Sequence, residues 1–231
     1  MTNYTVDTLE LGPFTTESGE FISNLKLRYE HVGLKGQPLV VVCHALTGNH
    51  LTYGTNENPG WWRGIIDGGY MPVNDYQFLT FNVIGSPYGS SSALTDANFP
   101  KSLTLRDIVR AIELGIETLG FERINILIGG SLGGMQAIEL LYNRKFNVEK
   151  AVILAATDKT SSYSRAFNEI ARQAIHLDNK EGMSIARQLG FLTYRSSKSY
   201  DKRFSPNQVV TYQKHQGNKF MNHFDSLCYL T

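Results

Sequence analysis

Cysteine is scarce in this chain: two in 231 residues, Cys43 inside an apolar run and Cys228 near the end. That excludes a disulfide framework and fits a reducing compartment. An excess of charge of one sign is also lacking. Lys and Arg number 22 against 21 Asp and Glu, a formal net charge of +1, and both signs are scattered with no basic block. Nothing in that balance draws the chain to nucleic acid or to an anionic membrane. No apolar run is long enough to cross a bilayer, and Met1 to Asp7 has neither the basic opening nor the apolar centre of a signal peptide. The chain reads as cytoplasmic. His, Cys, Asp and Glu nowhere fall at metal-ligand spacing, so no metal is expected.

What is present is the texture of an α/β protein, in a chain long enough to bury a proper core. Residues Thr8 to Gly33 alternate apolar and polar side chains, notably Leu25, Leu27 and Tyr29, around the turn signal Glu17 to Glu20, which predicts antiparallel strands at a sheet edge. From Pro38 to Cys43 the pattern becomes continuously apolar, as in a parallel strand covered on both faces. Residues 78–84, 124–128 and 151–155 repeat that theme. Between them, Thr104 to Leu119 places Ile108, Val109, Ile112, Ile116 and Leu119 on one helical face, and Gly120 stops the helix. Strands alternating with helices predict a mostly parallel sheet with flanking helices. After Thr157 no buried-strand run recurs. Residues 164–175, 182–189 and 207–224 read as helices, the last interrupted at Gly217, so the expected division is a core over 1–157 and a helical cap over 158–231.

The chemistry centres on Gly129-Gly-Ser131-Leu-Gly133, which follows an apolar strand and opens a helix-forming stretch, Met135 to Tyr142. Gly-x-Ser-x-Gly in that context is a nucleophile elbow, with Ser131 held above the sheet edge and glycines where a side chain would collide with strand or helix. A second element, His44 to Gly48, directly follows the strand ending at Cys43, where a serine acyl-transfer site collects its other oxyanion donor. Attack on an ester or thioester carbonyl puts negative charge on oxygen, and the backbone N–H groups of Leu46 and Leu132 are the expected donors to it. Cys43 beside His44 could be imagined as a thiol with its base, but neighbours on a strand face opposite ways, so Cys43 reads as a buried hydrophobe. His44 could serve as general base or as a prop for the oxyanion loop; the prop is the preferred reading. Trp61 and Trp62 read as packing aromatics.

Together these pieces resemble the homoserine O-acetyltransferase family, a branch of the α/β-hydrolases. The matching stretches are His44 to Gly48, Pro59 to Trp62, Asn82 to Gly85 with Tyr88 to Ser90, Thr104 to Asp107, Gly129 to Met135, Ala186-Arg187 with Leu192 to Arg195, and Tyr212 to Phe220 running into Phe224-Asp225. They run nearly the length of the chain in family order. The resemblance implies an α/β-hydrolase-type sheet with a helical cap, no permanently bound cofactor, and acetyl-CoA (or succinyl-CoA) as co-substrate. It implies that Ser131 takes the acyl group and passes it to the hydroxyl of L-homoserine, in methionine biosynthesis. By position Arg187 binds the homoserine carboxylate and Tyr194 lines the same pocket, with one helix face presenting both if the helix survives Gly190. A homodimer through the cap is also implied.

One departure from the family pattern concerns the triad. Members order it Ser, then Asp, then His, and here neither the acid nor a late Gly-His follows the cap. Asp158 could serve as a displaced acid, but a base would still be absent, and a serine without one is a poor nucleophile. The chain is therefore expected to be truncated, without the last strands of the sheet, and weak or inactive by itself. The strand over 151–155 is then expected to lie at an unprotected sheet edge. Two other readings stay open. One is an esterase using the same elbow with water, although a simple ester gives Arg187 no carboxylate to anchor. The other is a non-catalytic remnant that keeps the cap as a binding surface.

Overall fold

Strand β5 (Leu39–Cys43) is buried at every position, and its alternate side chains enter two different cores. Val41 and Cys43 point into a core shared with Leu27, Leu79, Phe81, Ile112 and Leu127, whereas Val40 and Val42 pack with Val32, Ile66, Phe78 and Ile128 on the other face. That is why the run is apolar without alternation: a strand covered on both sides has no face to give to water. The computed structural model describes residues 3–231, and they divide into two compact units, residues 3–158 with Thr231, and Lys159–Leu230.

In the first unit β1 (Tyr4–Glu10), β4 (Lys26–Val32), β5, β6 (Gln77–Phe81), β7 (Arg123–Gly130) and β8 (Asn147–Leu154) form one sheet in the order β1-β4-β6-β5-β7-β8. β1 and β4 pair antiparallel, as do β4 and β6, and from β6 onward every pairing is parallel. A small hairpin of β2 (Phe14–Thr15) and β3 (Phe21–Ile22) stands apart. The parallel interior follows the apolar texture of the sequence and β4 follows the alternating one, but the turn at Glu17–Glu20 joins only the small β2–β3 hairpin outside the main sheet, and the edge partner of β4 is β1, which begins at Tyr4 ahead of the alternating stretch. The last strand is longer than the apolar run alone predicts, starting at Asn147, and it does form the sheet edge.

Helix α2 (Leu105–Thr118) crosses from β6 to β7. Its start is a capping box in which Thr104 Oγ1 accepts from the Asp107 N–H and Asp107 accepts from the Thr104 N–H. Asp107 Oδ1 also accepts from the Glu17 N–H at 2.8 Å, tying the hairpin to the helix. The helix ends where Gly120, at φ 76°, lets its own N–H reach the Glu117 carbonyl and the Phe121 N–H reach that of Ile116, a left-handed stop that glycine adopts without strain. Helix α1 (Arg63–Asp67) lies in the long loop after β5, and α3 (Leu132–Asn143) joins β7 to β8.

The second unit is wholly helical: α4 (Ser162–Leu177), α5 (Glu181–Thr193), α6 (Ser197–Arg203), α7 (Pro206–Met221) and α8 (Ser226–Leu230). The expected interruption at Gly217 does not occur, and α7 runs straight through it. A Cβ there would lie 2.2 Å from Ser184 Oγ, so this glycine lets α5 and α7 cross closely instead of breaking a helix. No helix among the described residues is long and apolar enough to cross a membrane.

Candidate active site

The turn from β7 into α3 is built from glycines with no room to spare. A Cβ on Gly129 would lie 2.1 Å from the Gly133 carbonyl oxygen, and one on Gly133 would lie 2.0 Å from that of Cys43. One on Gly134 would press on Ala156 at 2.5 Å, whereas Gly130 meets nothing nearer than 3.7 Å. The crowding forces Ser131 to φ 55° and ψ −125°, a conformation side chains rarely adopt. Ser131 is exposed there, and among the described residues nothing hydrogen-bonds its hydroxyl. Its N–H donates to the Leu154 carbonyl at 2.9 Å, so the end of β8 holds the bend in place. Leu132 begins α3, where the first amides have no carbonyl within the helix to bond.

Leu46 lies in the turn after β5, 37 % exposed. His44 anchors that turn. Its ring is fully buried, Nδ1 donates to the Ala45 carbonyl at 2.7 Å, and Nε2 accepts from the Val83 N–H at 3.1 Å. The two partners define the tautomer and occupy both ring nitrogens, while burial pushes the pKa down to about 4. His44 is therefore the prop and has no lone pair left for a serine proton. Gln136 Nε2, from α3, donates to the His44 carbonyl at 3.3 Å, and Gly133 passes so near the carbonyls of Cys43 and His44 that a Cβ has no room there. These contacts bring the oxyanion turn and the serine helix together. The Cys43 thiol is buried in the sheet core and pushed up to about 12, which leaves it inert.

A residue that sequence reasoning overlooked fixes the rest of the loop. Glu30, buried on β4, accepts from the N–H groups of Thr52 and Tyr53 on Oε2 and from that of Gly54 on Oε1, each at 2.8 Å. The Tyr4 side chain adds a fourth bond, and burial raises the Glu30 pKa against the pull of those donors. Thr52 Oγ1 meets Thr80 Oγ1 at 2.6 Å. A lone Glu in an alternating strand reads as solvent-facing, and only the loop some twenty residues later gives it partners. Trp61 and Trp62 pack on each other with centroids 4.9 Å apart, and the Trp61 indole donates to the Asn49 carbonyl, so both are loop-packing aromatics.

Of the other histidines in this unit, His31 Nε2 is bonded to Gln77 Oε1 at 2.9 Å, and His50 is buried with its pKa down to about 4. Asp158 is exposed, and among the described residues no imidazole pairs with it. No group of metal-ligating side chains occurs among the described residues.

In the helical unit α5 does survive Gly190, and it ends at Thr193 with Tyr194 as its cap. Arg187 is half-buried, its guanidinium 4.6 Å from the centre of the Phe191 ring and 5.2 Å from that of Phe220. No carboxylate among the described residues pairs with it. Tyr194 is 63 % exposed and meets Phe191 edge-on at 5.7 Å, so both side chains converge on one ring.

A parallel sheet entering a glycine-lined bend with an exposed serine places the chain in the α/β-hydrolase class, and the family profile described as alpha/beta hydrolase fold matches residues 38–228. A solved homoserine O-acetyltransferase from Staphylococcus aureus is 78 % identical, with a TM-score of 0.95 over 99 % of this chain and 70 % of that one. A homoserine O-acetyltransferase of Trichlorobacter lovleyi is 33 % identical over 93 % of this chain and 70 % of its own length. That of Methanohalophilus mahii is 32 % identical over 94 % of this chain, which spans about half, 52 %, of that relative. The chain belongs to the homoserine O-acetyltransferase family.

Proposed function

We propose that this chain is the nucleophile-bearing part of an acetyltransferase that moves an acetyl (or succinyl) group from acyl-CoA to L-homoserine, in the cytoplasm and in the service of methionine synthesis. The observation that carries the reading is Ser131, exposed on a strained bend whose neighbouring amides are free of helix bonds. In the first half-reaction Ser131 Oγ attacks the thioester carbonyl. The amides of Leu46 and Leu132 stabilise the oxyanion, the carbon–sulfur bond breaks, and CoA leaves as the thiol with the serine proton. In the second, the homoserine hydroxyl attacks the acyl-serine ester, O-acylhomoserine leaves, and the proton returns to Ser131.

To Arg187 we assign the homoserine carboxylate. Rings beside the guanidinium orient it and leave its N–H edge for a bidentate partner, and Tyr194 borders the same place. The proton acceptor and its supporting acid are assigned to sequence outside these 231 residues, because the imidazole nearest the oxyanion turn, His44, is saturated. The chain by itself is then a slow acyl acceptor. A homodimer through the helical unit fits the apolar face that α4 leaves open, where Tyr163, Ile170 and Leu177 recur every seven residues at 74, 53 and 89 % exposure.

Incubation with acetyl-CoA followed by peptide mass spectrometry should find acetyl on Ser131, slowly formed and absent from Ser131→Ala. Acetyl-CoA that never marks Ser131 would remove the nucleophile from the proposal. CoA release with homoserine at about 1 to 1000 per second, the ordinary enzyme range, would show that this chain already holds its base.

A further inference from the structure

The two amides assigned to the oxyanion belong to different elements, Leu46 to the turn after β5 and Leu132 to the start of α3. Something that joins those elements must set the distance between them. Within the turn the Ala45 carbonyl accepts from His44 Nδ1 at 2.7 Å and from the Gly48 N–H at 2.8 Å. A trans peptide is planar, with its C=O and N–H on opposite sides, so fixing the Ala45 oxygen aims the Leu46 N–H the other way. The preceding carbonyl, that of His44, accepts from Gln136 Nε2 at 3.3 Å, and of the three bonds this one comes from α3. Gln136 stands about one helical turn beyond Leu132, on the same face of the helix. Gly133 and Gln136 then act in opposite senses. The missing Cβ of Gly133 lets the turn come close, and the Gln136 bond keeps it from moving away. Gln136 is fully buried, and its Oε1 meets no donor among the described residues. Turning the amide round would set Oε1 against the His44 oxygen, so the orphaned acceptor is the consequence of the bond. A buried acceptor without a partner is destabilising, and a methionine would fill the space without one.

We infer that Gln136 is a positioning residue for acyl transfer: by tying the His44 carbonyl to α3 it sets the gap between the Leu46 and Leu132 amides, and so the width of the oxyanion site. The inference rests on the acyl-transfer reading and adds to it a fully buried side chain that acts only through the placing of the two donors. Its effect falls on the transition state. Charge develops on the carbonyl oxygen only as the serine attacks, and donors aimed at that oxygen lose their advantage when one of them swings aside. Removing an oxyanion donor outright slows catalysis about 100- to 1000-fold, so a donor left in place but poorly aimed should give up at least about tenfold.

Two substitutions in the 231-residue chain test this. In Gln136→Met the saturating rate of Ser131 acetylation by acetyl-CoA should fall at least about tenfold, while the acetyl-CoA concentration giving half that rate stays within about twofold. The variant should melt within a few degrees of wild type, since one bond and one orphaned acceptor go together. By NMR the Gly48 amide and the His44 Nδ1 proton should exchange faster, because the turn they hold has lost its tether to α3. The amides of Thr52 to Gly54, fixed by Glu30, should not change. Gln136→Glu carries a signature that loss of packing would not give. A neutral carboxyl can donate its O–H to the His44 carbonyl and restore the bond, the ionised form repels it, and burial keeps a carboxyl neutral to higher pH. Its rate relative to wild type should rise at least about fivefold from pH 8 to pH 6, a range in which the His44 ring stays neutral. A smaller loss in Gln136→Met, a loss of affinity in place of rate, unchanged exchange at Gly48, or a Gln136→Glu ratio that ignores pH would each overturn the inference. A wild-type chain that never gains acetyl would count against the proposed function, and exchange at Gly48 would still decide whether Gln136 holds the turn.

Discussion

Acid should loosen the base of the oxyanion turn, and the buried imidazoles set by how much. His44 and His50 are both held neutral, their pKa values pushed down to about 4 from an ordinary 6.5 by burial. The folded chain therefore refuses protons that the unfolded chain accepts. The resulting stability is complete above pH 6.5 and is lost as pH falls towards 4. At pH 5 an unfolded imidazole is almost wholly charged while either of these is still mostly neutral, a difference of about 2 kcal/mol per site. Carboxylates of ordinary pKa titrate lower and contribute little in this window, and Glu30, whose pKa burial raises, acts in the opposite sense and reduces the loss. The chain has two tryptophans, Trp61 and Trp62, and both sit in the loop that continues from His44 and His50, so their fluorescence reports this region. With a urea slope of about 2 kcal/mol per molar, the unfolding midpoint should fall by about 2 M between pH 7 and pH 5. In His44→Gln, already weaker at pH 7, the fall should be about 1 M. A wild-type midpoint that ignores pH, or a His44→Gln variant with the full wild-type slope, would refute the assignment of buried neutral imidazoles.

Three further outcomes follow from distances already given. Gly129→Ala and Gly133→Ala drive a methyl into backbone oxygens and should each cost about 3 kcal/mol, whereas Gly130→Ala should stay within about 0.5 kcal/mol, as read by thermal unfolding. Ser131→Gly removes the strain of φ 55° and should raise stability by about 1 kcal/mol while abolishing acetylation at that position; no gain in melting temperature would mean the bend is not strained. Glu30→Gln keeps the shape but turns an amide NH2 towards the Gly54 N–H, and should cost about 1 to 3 kcal/mol with faster amide exchange at Thr52 to Gly54.

Much of the fold was legible in the residues because it depends on short-range patterns. Largely apolar runs marked β5, β6, β7 and β8, although β6 stops at Phe81 and not at Ile84, an alternating stretch marked β4, and Thr104 with Gly120 bracketed α2 to within a residue. The bend around Ser131 was legible for the same reason, since its glycines answer to atoms close by in the chain and on the strand beside them. Gly217 misled, because the same residue type that breaks a helix also lets two helices touch, and only the neighbour Ser184 tells the two apart.

What the sequence by itself determined is therefore local: where the chain extends, where it coils, where it must turn sharply, and which serine stands on the turn. Only the tertiary structure decided the fates of polar groups whose partners lie far along the chain. His44 became a neutral prop once Val83 supplied an N–H to its remaining lone pair, and Glu30 became the clamp of a loop more than twenty residues away. The physical reason is common to both. Taking a polar group out of water is costly unless particular donors and acceptors meet it, and which ones arrive is settled by the path of the backbone in space.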